Sequence, residues 1–198
     1  NKVKEGFHME RLTEMKEYIL PKWNERFHKD ISKVRTDYNR NQREIRPEFC
    51  NYIDHNLISK AKEHVSSSEK QGGQLFLVIS YLHSSIVTRS YEYEFSLCNE
   101  LLYVDRNRIS AYWYPEFLYP YTRDQEEFLQ KELQKKFIRV KKYETEILRR
   151  ELFSSYWGIA KEYFGELTAD IKKKENLRVY YGEHMGELES LSSTSGQA

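Results

Sequence analysis

Cysteine, glycine, proline and charge of one sign are all scarce in this chain, and each scarcity removes a class of explanation. The 198 residues include two cysteines, Cys50 and Cys98, far apart and without CxxC spacing. No disulfide framework is indicated, and two reduced, buried thiols are expected. With 8 glycines in the whole chain there is no glycine-rich phosphate cradle, and Gly72-Gly73 precedes a strand-like run rather than a helix. Walker, GxGxxG, GxSxG, HExxH and EF-hand motifs are all missing. Lys and Arg number 32 against 31 for Asp and Glu, a formal charge of +1. So even a balance argues against a dedicated binder of nucleic acid or anionic membrane.

Long apolar runs are missing too. The longest, Leu75 to Ile79, is strand-sized, so no membrane span is expected. No signal-peptide core follows the N-terminus. Beginning at Asn1 rather than Met, the chain reads as a fragment whose upstream targeting information lies outside it, and the cytoplasm is the expected compartment.

Aromatic residues are abundant instead. Tyr 16 and Phe 10 bring the aromatic fraction to 15%, while charged residues reach 32%, as long exposed helices require. Tyrosine joins an apolar ring to a polar tip and suits half-buried faces and interfaces. The wealth of Tyr, Lys and Asn resembles proteins of AT-rich bacterial genomes.

Periodicity divides the chain into helical, strand-like and again helical regions. Leu12, Met15, Ile19, Trp23, Phe27, Ile31, Val34 and Tyr38 recur at steps of three and four, one apolar face of a helix. Pro21 is expected to kink or divide it. Asn39 to Arg43 reads as a polar loop, with a second helix starting near Pro47 and carrying Phe49, Ile53, Leu57, Ala61 and Val65. Ser66-Ser67-Ser68 and Gln71-Gly72-Gly73 read as a flexible connection.

From Gln74 the period changes to two. Gln74 to Leu82 fits a strand buried on both faces, His83-Ser84-Ser85 a turn, and Val87 to Leu97 an alternating antiparallel strand. Leu101 to Val104 and Ile109 to Tyr114 read as another strand pair around Asp105-Arg106-Asn107-Arg108. Beyond Thr122, a stripe from Leu129 to Tyr163 predicts one long helix, with a break favoured near Ser154-Ser155 or Gly158. Leu177, Val179 and Tyr181 suggest a short edge strand.

The expected fold is therefore α+β: N-terminal helices and a long C-terminal helix packed on a small antiparallel sheet of three to four strands. Residues 1–185 form a single domain in this reading (helical 7–66, a β meander over 74–114, helical 122–175), and 186–198 a disordered tail.

The segment Ala111-Tyr112-Trp113-Tyr114-Pro115-Glu116-Phe117-Leu118-Tyr119-Pro120-Tyr121 joins the strand and helix regions. Its two prolines stop both helix and ladder, so it reads as a hinge. Its rings either close a core or anchor a partner, which makes Tyr112, Trp113, Tyr114, Phe117, Tyr119 and Tyr121 the interaction candidates. Basic residues Arg35, Arg40, Arg43 and Arg46, with Tyr38 interleaved, are the nucleic-acid candidates; further basic runs lie at Lys135 to Lys142 and Lys172 to Lys174. Cys50, Asp54 and His55 make a metal half-site with no second cluster, and His83 among serines reads as a turn residue, so no metal, cofactor or catalytic residue is expected. The leading expectation is a non-catalytic interaction or regulatory module that binds a protein partner or a second copy of itself. The alternatives are a nucleic-acid binder and an enzyme whose His, Cys and carboxylates converge only in the fold.

Overall fold

The computed structural model describes residues 2–66, 74–175 and 177–191. The expected Ser/Gly-rich connection from Ser67 to Gly73 lies outside these residues, as does the tail from 192 to 198. The chain is α+β and divides into two compact units, Asn1–Arg40 with Glu116–Tyr156, and Asn41–Pro115 with Trp157–Ala198.

A single helix α1 (Lys2–Ile53), continued through a π-helical turn (Asp54–Ile58) into α2 (Ser59–Ser66), carries residues to both units. It corrects the expectation of a polar loop over Asn39 to Arg43 with a second helix starting near Pro47. Of the two outcomes expected at Pro21, a kink or a division, division does not occur. Pro21 and Pro47 both sit on exposed positions, as do Glu17 and Arg43 four residues earlier. The carbonyls those prolines leave unpaired therefore face water, and the helix continues.

In the first unit, Met15, Ile19, Trp23, Phe27, Ile31, Val34 and Tyr38 of α1 are all buried, as their spacing predicts. Opposing them are Leu129 and Leu133 of α4 (Thr122–Lys136), Leu148, Leu152 and Phe153 of α5 (Lys142–Phe153), and Tyr156 in the first turn of α6 (Ser155–Leu167). Trp23 lies 5.1 Å from Phe153, and Phe27 meets Tyr156 edge-on at 5.0 Å. Burial of a side chain the size of Trp23 is worth about 3 kcal/mol.

The expected long C-terminal helix is instead four helices, ending with α7 (Ala169–Glu175); the long helix of this protein is the N-terminal one. The chain leaves α4 at Phe137, which is extended at φ −108°, and passes through Arg139 at φ 53°. Helix α5 restarts because the Glu144 carboxylate accepts the Lys141 backbone N–H at 2.8 Å, a cap on its first turn. The next break, at Ser154, falls where the sequence favoured one.

Carboxylates are built into this unit. Asp30, fully buried on α1, accepts from Arg26 at 2.7 Å, Lys33 at 3.1 Å and Gln125 at 3.2 Å, and Tyr156 donates on to Gln125. Burial by itself would raise the Asp30 carboxyl, but these donors outweigh it and hold it below the usual range. Glu144 follows the same pattern: burial raises it, while the Lys141 N–H and Arg11 prevail and lower it.

The second unit holds a five-stranded sheet of order β3-β2-β1-β4-β5. The strands are β1 (Phe76–Tyr81), β2 (Tyr93–Cys98), β3 (Ile109–Trp113), β4 (Arg178–Glu183) and β5 (Leu188–Ser190). It is mixed rather than antiparallel, because β4 returns after the helices to lie parallel beside β1, a pairing that needs such a crossover. Tyr181 and its neighbours are thus interior, not an edge. Two further expectations are corrected. Val87 and Thr88 belong to a short helix α3 (His83–Thr88), closed by Arg89 and Tyr91 at φ 62° and 49°. Leu102–Val104 is a 3-10 turn, and β3 pairs with β2. Part of the expected tail is strand β5.

Register and alternation give the sheet two faces. Leu77, Ile79, Tyr93, Phe95, Leu97, Trp113, Val179 and Tyr181 point to the helices, where Phe164 of α6 meets Tyr93 at 4.9 Å, Phe95 at 5.4 Å and Trp113 at 6.1 Å. The other face carries Ser80, Glu94, Ser96, Cys98, Ser110, Tyr112 and Gly182. A Cβ at Gly182 would stand 2.0 Å from the Glu187 carbonyl oxygen, so only glycine lets the 184–187 turn fold back here.

Asp30→Ala is expected to destabilise the protein by about 2 kcal/mol in chemical denaturation at pH 7, since Arg26 and Lys33 can rehydrate whereas Gln125 cannot. Because Asp30 and Glu144 are held low, their contribution is present above the ordinary carboxylate range, near pH 4, and is lost as pH falls below it. Wild type should therefore lose stability in acid more steeply than the Asp30→Ala variant.

Candidate functional site

Alternation along β2 would leave one face wet, yet all six of its residues are buried. The second face is covered by the 99–108 loop and the 184–187 turn, and Glu94 holds both. Glu94 is 1% exposed. Oε1 accepts from the Ser96 hydroxyl at 3.1 Å and lies 3.2 Å from Arg108 Nη2. Oε2 approaches His184 Nδ1 at 2.6 Å, off the line of a hydrogen bond, and neither of those two atoms gains another hydrogen bond among the described residues.

Tyr103 ties the same segments together. Its ring meets His184 edge-on at 5.5 Å and lies under the Arg108 guanidinium at 5.7 Å. Its hydroxyl takes the Ser80 hydroxyl at 2.9 Å and donates to the Glu183 carbonyl at 3.2 Å. Asp105 shapes the loop by accepting the N–H groups of Asn99 and Asn107, each at 2.9 Å. Ser96 and Ser110 share a hydrogen bond of 2.8 Å between β2 and β3.

On the segments around this buried centre, four apolar side chains are exposed beside Glu100, Arg106, Asn107 and Glu187. Leu101 is 59% exposed, Val104 77%, Met185 72% and Tyr112 55%. Each lies on a segment that the Glu94–Arg108–His184–Tyr103 cluster fixes, or, for Tyr112, directly opposite Glu94 in the ladder. Isolated exposed apolar residues are ordinary; these four are concentrated on the segments around one polar centre.

The aromatic run divides. Trp113 is half-buried on the helical face, 5.1 Å from Phe49, and Tyr52 donates its hydroxyl to the Tyr112 carbonyl at 2.5 Å. Tyr112 and Tyr114 are exposed. In the other unit, Tyr119 is buried against Tyr156 at 4.8 Å, Phe117 packs on Tyr38 at 5.2 Å, and Lys33 lies over the half-buried Tyr121 ring at 4.8 Å. The unit boundary falls between Pro115 and Glu116, inside the run.

Among the basic candidates, Arg35, Arg40 and Arg43 are exposed, and Arg40 lies 3.7 Å from Asp37. Arg46 faces Glu166 at 3.7 Å and Asp170 at 3.9 Å. Tyr38 is 1% exposed, so its ring cannot receive a base. Sequence reading missed Glu94, Arg108, Tyr103 and His184. The signal available for Glu94 was a carboxylate inside an alternating strand, and its partners come from loops that only the fold brings near.

The nearby thiol is poorly suited to nucleophilic work: burial, with Asp105 adding to it, pushes Cys98 up to about 11. Among the described residues, no three His, Cys, Asp or Glu side chains gather as a metal-binding set. No helix of the described residues is long and apolar enough to cross a membrane. Comparison with family models, curated proteins and solved structures finds no match for this chain.

Glu94→Ala is expected to destabilise the second unit by about 2 kcal/mol and to raise amide hydrogen exchange selectively in 99–108 and 184–187, because it removes the group that Arg108 and His184 share. At pH 7.5 iodoacetamide is expected to label the half-buried Cys50 well before Cys98, which peptide mass mapping would show.

Proposed function

We propose that this protein is a non-catalytic interaction or regulatory module whose second unit presents the binding surface. The observation that carries this reading is the exposure of Tyr112, Leu101, Val104 and Met185 around a buried polar cluster. Anchors on a preorganised segment cost little entropy on binding, and Tyr is among the residues enriched at interface hot spots. Within the expected aromatic run, the surface role falls to Tyr112 and Tyr114, while Tyr119 serves packing.

The partner in this reading is a protein, either a different chain or a second copy. A cytoplasmic setting fits two cysteines that are not joined in a disulfide, and a bacterial source fits the Tyr, Lys and Asn composition. Nucleic acid is the weaker alternative, since it retains the exposed Arg35, Arg40 and Arg43 but loses Tyr38 as a stacking ring and has Arg46 compensated by two carboxylates.

Peptides selected from a random display library against the wild-type protein are expected to lose at least tenfold in affinity on Tyr112→Lys or Val104→Asp, with far-UV circular dichroism unchanged. Selected binders that are insensitive to both changes would reject the surface.

A further inference from the structure

The two edges of the sheet are treated differently. Strand β5 is three residues long and carries Glu189, whose carboxylate is paired with Lys161. Short length and charge are the ordinary means of keeping an edge from pairing. Strand β3, Ile109-Ser110-Ala111-Tyr112-Trp113, has neither. It has no charged residue, no proline and no glycine, and its five-residue register with β2 runs without a bulge. Such an edge is a template for another strand.

We propose that β3 pairs with β3 of a second copy, antiparallel about Ala111, joining two sheets across a two-fold axis. This rests on the reading of Tyr112 as part of an interaction surface and names its occupant. A two-fold axis uses the same patch twice, so the strand must complement itself when reversed. Reversal about Ala111 sets Ser110 opposite Tyr112, Ile109 opposite Trp113 and Arg108 opposite Tyr114. Facing residues in a ladder point to the same side, so Arg108, Ser110, Tyr112 and Tyr114 of both copies share the second face.

No like charges meet in this register. Arg108, held beside Glu94 and over Tyr103 of its own copy, comes level with Tyr114 of the other, whereas parallel in-register association sets Arg108 against Arg108. The apolar wall matches as well, since Ile109 and Trp113 are both incompletely covered within one copy. The Tyr112 carbonyl already accepts the Tyr52 hydroxyl and retains a second lone pair for an amide of the partner strand.

Sedimentation equilibrium from sub-micromolar to high-micromolar concentration tests the pairing. Wild type is expected to approach twice the 24.0 kDa chain mass. The double change Ser110→Lys/Tyr112→Lys sets lysine opposite lysine twice and is expected to give a monomer with unchanged far-UV circular dichroism. Ser110→Glu/Tyr112→Lys sets glutamate opposite lysine twice and is expected to restore the dimer.

A wild type that stays monomeric throughout overturns the pairing, and the peptide selection above then judges the interaction surface on its own. A dimer that survives the Lys/Lys change overturns it by placing assembly elsewhere. Loss of the dimer without recovery in the Glu/Lys variant overturns the register about Ala111.

Discussion

A carboxylate buried in the middle of β2 organises the second unit. Glu94 sits opposite Tyr112 in one ladder and Ser80 in the other, within reach of Arg108 and His184. Leaving such a group without partners inside a protein is expensive, so the loop and turn that supply Arg108 and His184 must close over the sheet together. That closure sets the positions of Leu101, Val104 and Met185, which adjoin the clamped residues in sequence. The exposed apolar surface is therefore a consequence of one buried charge.

The first unit uses the same device with a different outcome. Asp30 gathers Arg26, Lys33 and Gln125, and Gln125 passes the connection to Tyr156, so that α1, α4 and the start of α6 are fixed in register beneath an aromatic core. Glu144 joins α1 to α5 through Arg11 while capping the helix it begins. Apolar packing alone is non-directional and would tolerate sliding of one helix along another; these charged contacts pin the helices in register.

Aromatic residues divide between the two tasks expected of them. Phe164, Phe95, Phe49, Tyr93 and Trp113 fill the helical side of the sheet, and Trp23, Phe27, Phe153 and Tyr156 fill the helical unit. Tyr112 and Tyr114 remain outside because strand alternation turns Tyr112 to the face opposite Trp113, and no described segment covers it. The division follows from parity along one short strand rather than from the chemistry of the rings.

The chain by itself determined the local order wherever one physical signal dominated. The apolar stripe from Met15 to Tyr38 could only be one buried helix face, the run from Leu75 to Ile79 only a central strand, and Ser154 a break. Legibility failed where distant segments decided. Pro21 and Pro47 were tolerated because their freed carbonyls face water, and Val87-Thr88 joined a helix despite strand-like alternation. Leu177 to Tyr181 became interior because the helical crossover returned it beside β1. Of the proposed interaction surface, Tyr112 and Tyr114 were visible in sequence, whereas the Glu94 cluster was not. Alternation reports only that one side of a strand is polar. Whether that side meets water or a buried arginine and histidine depends on loops about 10 and 90 residues away, and tertiary structure alone brings them there.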